Sequence, residues 1–147
     1  MKVYIDGIFD LFHKGHLESF HKSIRMGKTI SDNVELVVGV INDQDAFVYK
    51  RLPIIREHDR VDIIRAIGIV DSIIFPAPLI ITDEFMIENN IDLVVHGFAN
   101  EADFLKQQEF FKVPISQNKF AKIDYYIKES TSDIISRCYD IHLLSLE

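Results

Sequence analysis

The stretch Val3-Tyr4-Ile5-Asp6-Gly7-Ile8-Phe9-Asp10-Leu11-Phe12-His13-Lys14-Gly15-His16 constrains the fold of this chain more than any other. Its short apolar, β-branched start predicts a strand, Val3 to Ile5. The glycines break that strand sharply, and a helix is expected to begin near His16. Two histidines then stand three positions apart at the mouth of the helix. Unpaired backbone N–H groups there favour an anion, and two imidazoles add donors and positive charge. The place suits a triphosphate. It carries neither the G-x-G-x-x-G of a dinucleotide fold nor the Lys-Ser/Thr ending of a P-loop, so those two readings fail.

Downstream, strand and helix patterns alternate. A helix over 16–26 is ended near Gly27, and Leu36 to Val40 reads as a buried strand. Residues 56–66 carry apolar side chains at helical spacing through Val61 and Ile64, and Gly68 stops them. A third strand is expected over 70–75, followed by a turn forced by Pro76 and Pro78. Thr82 caps a short helix to Glu88, a fourth strand covers 91–95, and His96-Gly97 lies just past its carboxyl end. A helix over 101–112, a fifth strand over 122–127 and a helix from Ser130 through Arg137 complete the pattern. Such alternation predicts an α/β fold with a mostly parallel sheet covered by helices. Ligands in that architecture sit beyond the carboxyl ends of strands, where strand order reverses. His13, His16, Asn42, Asp43, His96 and Ser130 all fall at such ends.

Length and composition bound the rest. At 147 residues the chain is one domain by length, and 48% hydrophobic content argues against disorder. A formal net charge of -7 speaks against a general nucleic-acid binder, although an acidic protein still binds nucleotides through a local site. The single cysteine, Cys138, provides neither a disulfide framework nor a thiolate zinc site. No signal-peptide pattern precedes the first strand and no apolar run is long enough to span a bilayer, so a cytoplasmic protein is expected.

Several groups are candidates for chemistry, each with a plainer alternative. His13 and His16 with Gly7 and Gly15 suit phosphate binding, since glycine permits close backbone approach and imidazoles donate to oxygens gaining charge. The alternatives are a solvated loop histidine beside a helix cap, or zinc ligation. Sequence leaves open whether the imidazoles work neutral or charged. Ser130, Thr131 and Ser132 offer hydroxyls and free N–H groups to phosphates, or serve only as an N-cap. Lys50 and Arg51, near Arg60, form either a solvated basic patch or a cover that neutralises phosphates, with Arg60 anchoring substrate or supporting the loop. Asp6 and Asp10 divide between attracting a cation or metal and closing an Asx turn.

Taken together, Asp6 to His16, Lys50, Asp59-Arg60, Val70-Asp71, Pro78, His96-Gly97 and Ser130 to Asp133 closely resemble the cytidylyltransferases. Within them the chain looks most like the catalytic domain of the choline-phosphate and ethanolamine-phosphate enzymes, over almost its whole length. The resemblance implies a Rossmann-like nucleotidyltransferase fold with a five-stranded parallel sheet. It implies attack of a phosphomonoester oxygen on the α-phosphorus of CTP, with Mg²⁺ accompanying the triphosphate. His13, His16 and Lys50 would then be catalytic, and Gly7, Ile8, Phe9, Asp10, Gly15, Arg60, His96, Gly97, Ser130, Thr131 and Ser132 would bind the nucleotide. Asp6, Lys50, Glu101 and Phe110 would meet the phosphorylated amino-alcohol. A homodimer is implied, without stable membrane association, because the long amphipathic membrane helix of the lipid-regulated enzymes would lie beyond Glu147.

Two departures from the family pattern stand out. Where the family carries R-T-x-G-I before the Ser/Thr cluster, this chain has Tyr125-Tyr126-Ile127-Lys128-Glu129, with Lys122 and Lys128 as the nearby replacements for the lost charge. The aromatic positions that enclose choline in the family correspond to Leu79, Glu101 and Phe110, while Asp6 matches its acid. The Asp6 to His13 and Thr82 to Phe85 stretches favour phosphocholine as acceptor. His96-Gly97 points instead to phosphoethanolamine or glycerol 3-phosphate, and the lost arginine to a nucleotide-binding pseudoenzyme.

Overall fold

The computed structural model describes residues 1–147. Its centre is a five-stranded sheet, all parallel, in the order β3-β2-β1-β4-β5. The strands are β1 (Lys2–Gly7), β2 (Glu35–Val40), β3 (Ser72–Ile74), β4 (Leu93–Gly97) and β5 (Phe120–Ile123). The helices are α1 (Lys14–Lys28), α2 (Asp43–Tyr49), α3 (Glu57–Arg65), α4 (Asp83–Glu88), α5 (Glu101–Gln107), α6 (Lys112–Ser116) and α7 (Thr131–Leu144), with a 3-10 turn over Gln108–Phe111. This is the expected α/β class and Rossmann-like arrangement.

Alternation of side chains along each strand sorts the core into two layers. Val3, Ile5, Leu36, Val38, Leu93 and Val95 face one side, where Phe20 of α1 and Val61 and Ile64 of α3 cover them. Tyr4, Val37 and Val94 face the other, against Ile81, Met86 of α4, Ile91 and Phe111. The strands therefore read as continuous apolar runs, as parallel strands buried on both faces must. Successive strands β1, β2 and β3 step outward in one direction, and β4 returns to the opposite side of β1. Strand order thus reverses between β1 and β4, and a crevice opens beyond their carboxyl ends.

Several boundaries differ from the sequence reading, each for a local reason. Helix α2 was not foreseen: Asn42 caps it by accepting from Asp45 N, and Asp43 and Asp45 favour its first turn. Strand β5 spans Phe120–Ile123 rather than 122–127, because its partner β4 ends at Gly97, opposite Ile123. Beyond Ile123 the chain is released from the ladder, and Tyr125 and Tyr126 turn toward the crevice. The helix expected over 101–112 breaks after Gln107 into the 3-10 turn and α6, with Pro114 tolerated in the first turn of α6. Helix α7 continues past Arg137 to Leu144. His96 and Gly97 are the last residues of β4 rather than lying beyond it.

Candidate active site

The crevice between β1 and β4 is a cleft of about 280 Å³. Its floor is the loop from β1 to α1, where Phe9 and Leu11 adopt left-handed backbone angles, φ 54° and 50°. Such angles are costly for side-chain-bearing residues and persist only where the surroundings hold them. Here Phe9 is buried against Phe20 and lies edge-on to His16, with ring centroids 5.2 and 5.4 Å apart respectively. At Gly7 an added Cβ would stand 2.9 Å from the Phe9 ring, so the strand end must be bare for the loop to fold back.

His13 and His16 form a reciprocal cap on α1. Gly15 N donates to His13 Nδ1 at 3.0 Å, and His13 N donates to His16 Nδ1 at 3.3 Å. Both Nδ1 atoms are thereby acceptors, so each neutral ring carries its proton on Nε2. Burial, reinforced by the neighbouring His13 and Lys50, lowers the His16 pKa to about 3. Burial also lowers that of His13, against the opposing charges of Glu129 and Asp133. Burial and the Nδ1 hydrogen bond together favour the uncharged Nε2–H form of His16 at neutral pH. His13 Nε2 lies 3.3 Å from Thr131 Oγ1, which donates to Asp10 O at 3.2 Å, tying the start of α7 to the β1 loop. Gly15 is required by this cap, because a Cβ there would come within 2.7 Å of the His13 ring.

The strap between α2 and α3 forms another wall. Asp10, 2% exposed, accepts from Ile54 N at 2.8 Å, Ile55 N at 2.9 Å and Arg51 Nη1 at 2.9 Å. Burial pushes its pKa up, yet these two amides and the guanidinium together hold it below the usual carboxylate value. The strap so pinned begins at Lys50, which lines the cleft. Burial and the adjacent Arg51 lower the Lys50 pKa, while Asp103 opposes them.

The cleft gathers most of the residues singled out from sequence: Asp6, Gly7, Ile8, Phe9, Asp10, His13, Gly15, His16, Lys50, His96, Gly97, Ser130, Thr131 and Ser132. Ser130 caps α7 by accepting from Asp133 N at 3.1 Å and donating to Asp133 Oδ2 at 2.7 Å. Three of the residues singled out from sequence lie outside the cleft lining. Arg60 does not reach the cleft: it is 1% exposed, and its guanidinium donates to Ile55 O, Ile8 O, Ile41 O and Asp43 Oδ1. It is a buried strut that fixes the loops after β1 and β2. Glu101 lies at the exposed start of α5, beside a separate shallow depression with Phe104 and Lys122. Phe110 turns inward, packing edge-on against Tyr49 with centroids 5.8 Å apart.

In place of Glu101 and Phe110 the cleft holds Tyr49, Asp103, Gln107, Tyr125, Tyr126 and Glu129. Of these, Asp103 and Gln107 carried a readable signal, since their i,i+4 spacing on α5 puts them on one face. Tyr49 was hidden with its helix. Tyr125 stands where the family pattern carries arginine. No group of three or more His, Cys, Asp or Glu side chains converges as a metal cage.

A family model described as cytidylyltransferase-like matches residues 4–137. The chain is 32% identical over 145 residues to choline-phosphate cytidylyltransferase A of Rattus norvegicus, covering 97% of this chain and 38% of that protein. It is 35% identical over 144 residues to ethanolamine-phosphate cytidylyltransferase of Arabidopsis thaliana, covering 95% of this chain and 33% of that protein. It therefore spans well under half the length of these curated relatives. Among solved structures, the lipopolysaccharide core biosynthesis protein from Thermoplasma volcanium GSS1 superposes with a TM-score of 0.65 at 26% identity, over 86% of this chain and 98% of that one.

Proposed function

The chain belongs to the cytidylyltransferase-like family, and from that premise we propose that it transfers a cytidylyl group from CTP to a phosphorylated amino-alcohol, phosphocholine or phosphoethanolamine. One observation carries the reading: two neutral imidazoles, their Nδ1 atoms tied to backbone, sit in the same cleft as Lys50 and the start of α7. That arrangement presents fixed donors to an oxygen whose negative charge grows during transfer.

The step is a single displacement. A phosphomonoester oxygen of the acceptor bonds to the α-phosphorus of CTP while the bond from that phosphorus to its bridging oxygen breaks. The bridging oxygen keeps the electron pair and departs in pyrophosphate, leaving a CDP-alcohol for phospholipid biosynthesis. Positioning and charge stabilisation supply most of the catalysis in phosphoryl-type transfers. His13 and His16 hold the transferring group, and Lys50 bridges it to the acceptor phosphate. The N–H groups at Ser130 to Ser132 and the start of α7 take the outer phosphates. No group of three or more His, Cys, Asp or Glu side chains offers a dedicated protein cage for magnesium. Mg²⁺ enters this proposal with the triphosphate, whose charge it would help neutralise when bound.

No helix is long and apolar enough to cross a membrane. A cytoplasmic location and a homodimer enter this proposal from the family resemblance alone. The test is pyrophosphate release from CTP and Mg²⁺ with each acceptor, the CDP-alcohol being identified by mass. Folded protein that binds CTP yet makes no product would overturn the proposal in favour of a nucleotide-binding pseudoenzyme, the reading that Tyr125 in place of arginine favours.

A further inference from the structure

The acidic end of the cleft contains a buried nitrogen that the protein leaves unmatched, beside a carboxylate that accepts no protein hydrogen bond. Asp6, at the end of β1, has a side chain 5% exposed, and no protein donor satisfies its carboxylate. The basic atom within ion-pair reach is His96 Nδ1, 3.5 Å away across the β1–β4 boundary. That nitrogen is itself buried without a hydrogen-bond partner. The His96 ring packs against Phe98 and Phe111, with centroids 4.8 and 4.6 Å away. Both residues line the cleft. Buried carboxylates without donors are costly, and native proteins retain them where a ligand supplies the missing partner.

A second carboxylate enters from α5. Asp103 Oδ2 accepts from Ala99 N at 2.9 Å and Oδ1 from Gln107 Nε2 at 2.7 Å. Each oxygen keeps a spare lone pair, and the Gln107 carbonyl oxygen is uncommitted. Tyr49 lines the same cleft, and burial first, then the charges of Asp6 and Asp103, push the pKa of its hydroxyl up. Asp6, Asp103 and Gln107 thus bring two carboxylates and a free amide oxygen to the lining of one cleft, where Lys50 is the cation that also feels Asp103.

We propose that this set seats the ammonium of the acceptor and that it selects a primary ammonium over a quaternary one. The inference rests on the cytidylyl-transfer reading. A primary ammonium brings three N–H donors to Asp6, Asp103 and Gln107 as charge-assisted hydrogen bonds. A trimethylammonium brings none. It would satisfy the charge but leave the buried acceptors unmatched, and a site built to bond N–H groups rejects the analogue that lacks them. Ring faces would have to compensate, and the family's aromatic positions do not supply them here: Leu79, Phe110 and Glu101 are all absent from the cleft lining, so enclosure of a trimethylammonium would fall to Tyr49, Tyr125 and Tyr126 alone.

The experiment is a methylation series. kcat/KM is measured with CTP and Mg²⁺ for phosphoethanolamine, its N-methyl and N,N-dimethyl derivatives and phosphocholine, with glycerol 3-phosphate as the uncharged control. Binding of the same esters to the protein is followed in parallel by calorimetry. We expect kcat/KM to fall with each methyl, by about tenfold or more across the series, the scale of losing charge-assisted hydrogen bonds. Asp103→Asn should flatten the series while leaving the KM for CTP near that of wild type. Equal or better use of phosphocholine, or an Asp103→Asn loss that is uniform across the series, would overturn the inference while leaving cytidylyl transfer intact. If no ester yields a CDP product, the transfer reading fails instead. The calorimetric order of the esters then decides the ammonium preference by itself.

Discussion

The imidazoles of His13 and His16 lie 3.9 Å apart between centroids, and each commits its Nδ1 to a backbone N–H of the turn that carries the other. Two cationic rings at that separation would repel, and only neutral rings share the site comfortably. The pair therefore works as two Nε2–H donors, in contrast to a pair of charges. Removing one donor to a developing oxyanion costs about 10²–10³ in kcat. His16→Ala is expected to lose activity on that scale with a small change in Tm. Steady-state kinetics beside thermal unfolding checks this, and an unchanged kcat would reject the role.

The same burial links His16 to stability through pH. Its folded pKa of about 3 lies below the ordinary 6.5, so between those values the unfolded chain binds a proton that the native state refuses. Stability contributed by this residue is complete above 6.5 and declines as pH falls toward 3. Denaturant unfolding at a series of pH values should show the decline, and His16→Gln should reduce its slope over that window. An identical slope in the variant would place the titration elsewhere.

Gly15 tests the geometry behind the donors. A methyl at this position would stand 2.7 Å from His13 Cε1 and 3.1 Å from Tyr126 Cδ1, so one ring must move. Gly15→Ala leaves helix propensity intact or improved. It is expected to lower kcat by about 10²-fold, the scale of a misplacement of about 1 Å, with Tm lowered only by the cost of a disturbed cap, about 1 kcal/mol. Wild-type kcat in this variant would mean that the ring position is not critical.

Asp10 is the hook that holds Lys50 in the cleft wall. Its carboxylate collects Ile54 N, Ile55 N and the Arg51 guanidinium, so the strap following Lys50 depends on one buried charge. Asp10→Asn keeps the shape but loses the charge and part of the acceptor capacity. About a tenfold drop in kcat is expected, with faster hydrogen exchange at the Ile54 and Ile55 amides than elsewhere. The pH sign is opposite in origin to that of His16 but equal in effect. The Asp10 pKa is lowered on folding, so its contribution is present above 3.8 and lost as pH falls through the lower folded value. Unaltered exchange at 54 and 55 would show that the strap does not hang from this residue.

The sheet was legible because its strands are apolar runs separated by glycine, proline and capping residues, and parallel strands buried on both faces announce themselves that way. The β1 loop was legible for a different reason: two histidines around Gly15 make a pattern whose ring clash with any Cβ excludes other residues. The acceptor end was less so. Whether Glu101 or Asp103 faces the cleft depends on the rotation of α5, set by tertiary packing of Phe104 against Phe98 and not by the polar sequence itself. Where β5 ends depends on the length of its partner β4, a non-local fact, and that ending frees Tyr125 and Tyr126. Arg60 was ambiguous in sequence because a basic residue near a phosphate site has two uses, and its burial in the structure favours support of the loops.

Arg60 therefore provides the sharpest distinction between a strut and a ligand. Its side chain is wholly buried, and its donors serve three backbone carbonyls and Asp43 on the loops after β1, β2 and the strap. Truncation strands those acceptors together with a carboxylate that has lost its near partner, which is how breaking a buried ion pair costs about 3–5 kcal/mol. Arg60→Ala is expected to be destabilised on that scale in denaturant unfolding. Arg60→Lys restores the charge but cannot span four acceptors arranged for a planar fork, and should recover only part of the loss. In the folded fraction of either variant, measured below its transition, the KM for CTP should stay within about twofold of wild type, the tolerance of a position that never touches nucleotide. A fully stable variant with a strongly raised KM for CTP would return Arg60 to the nucleotide site.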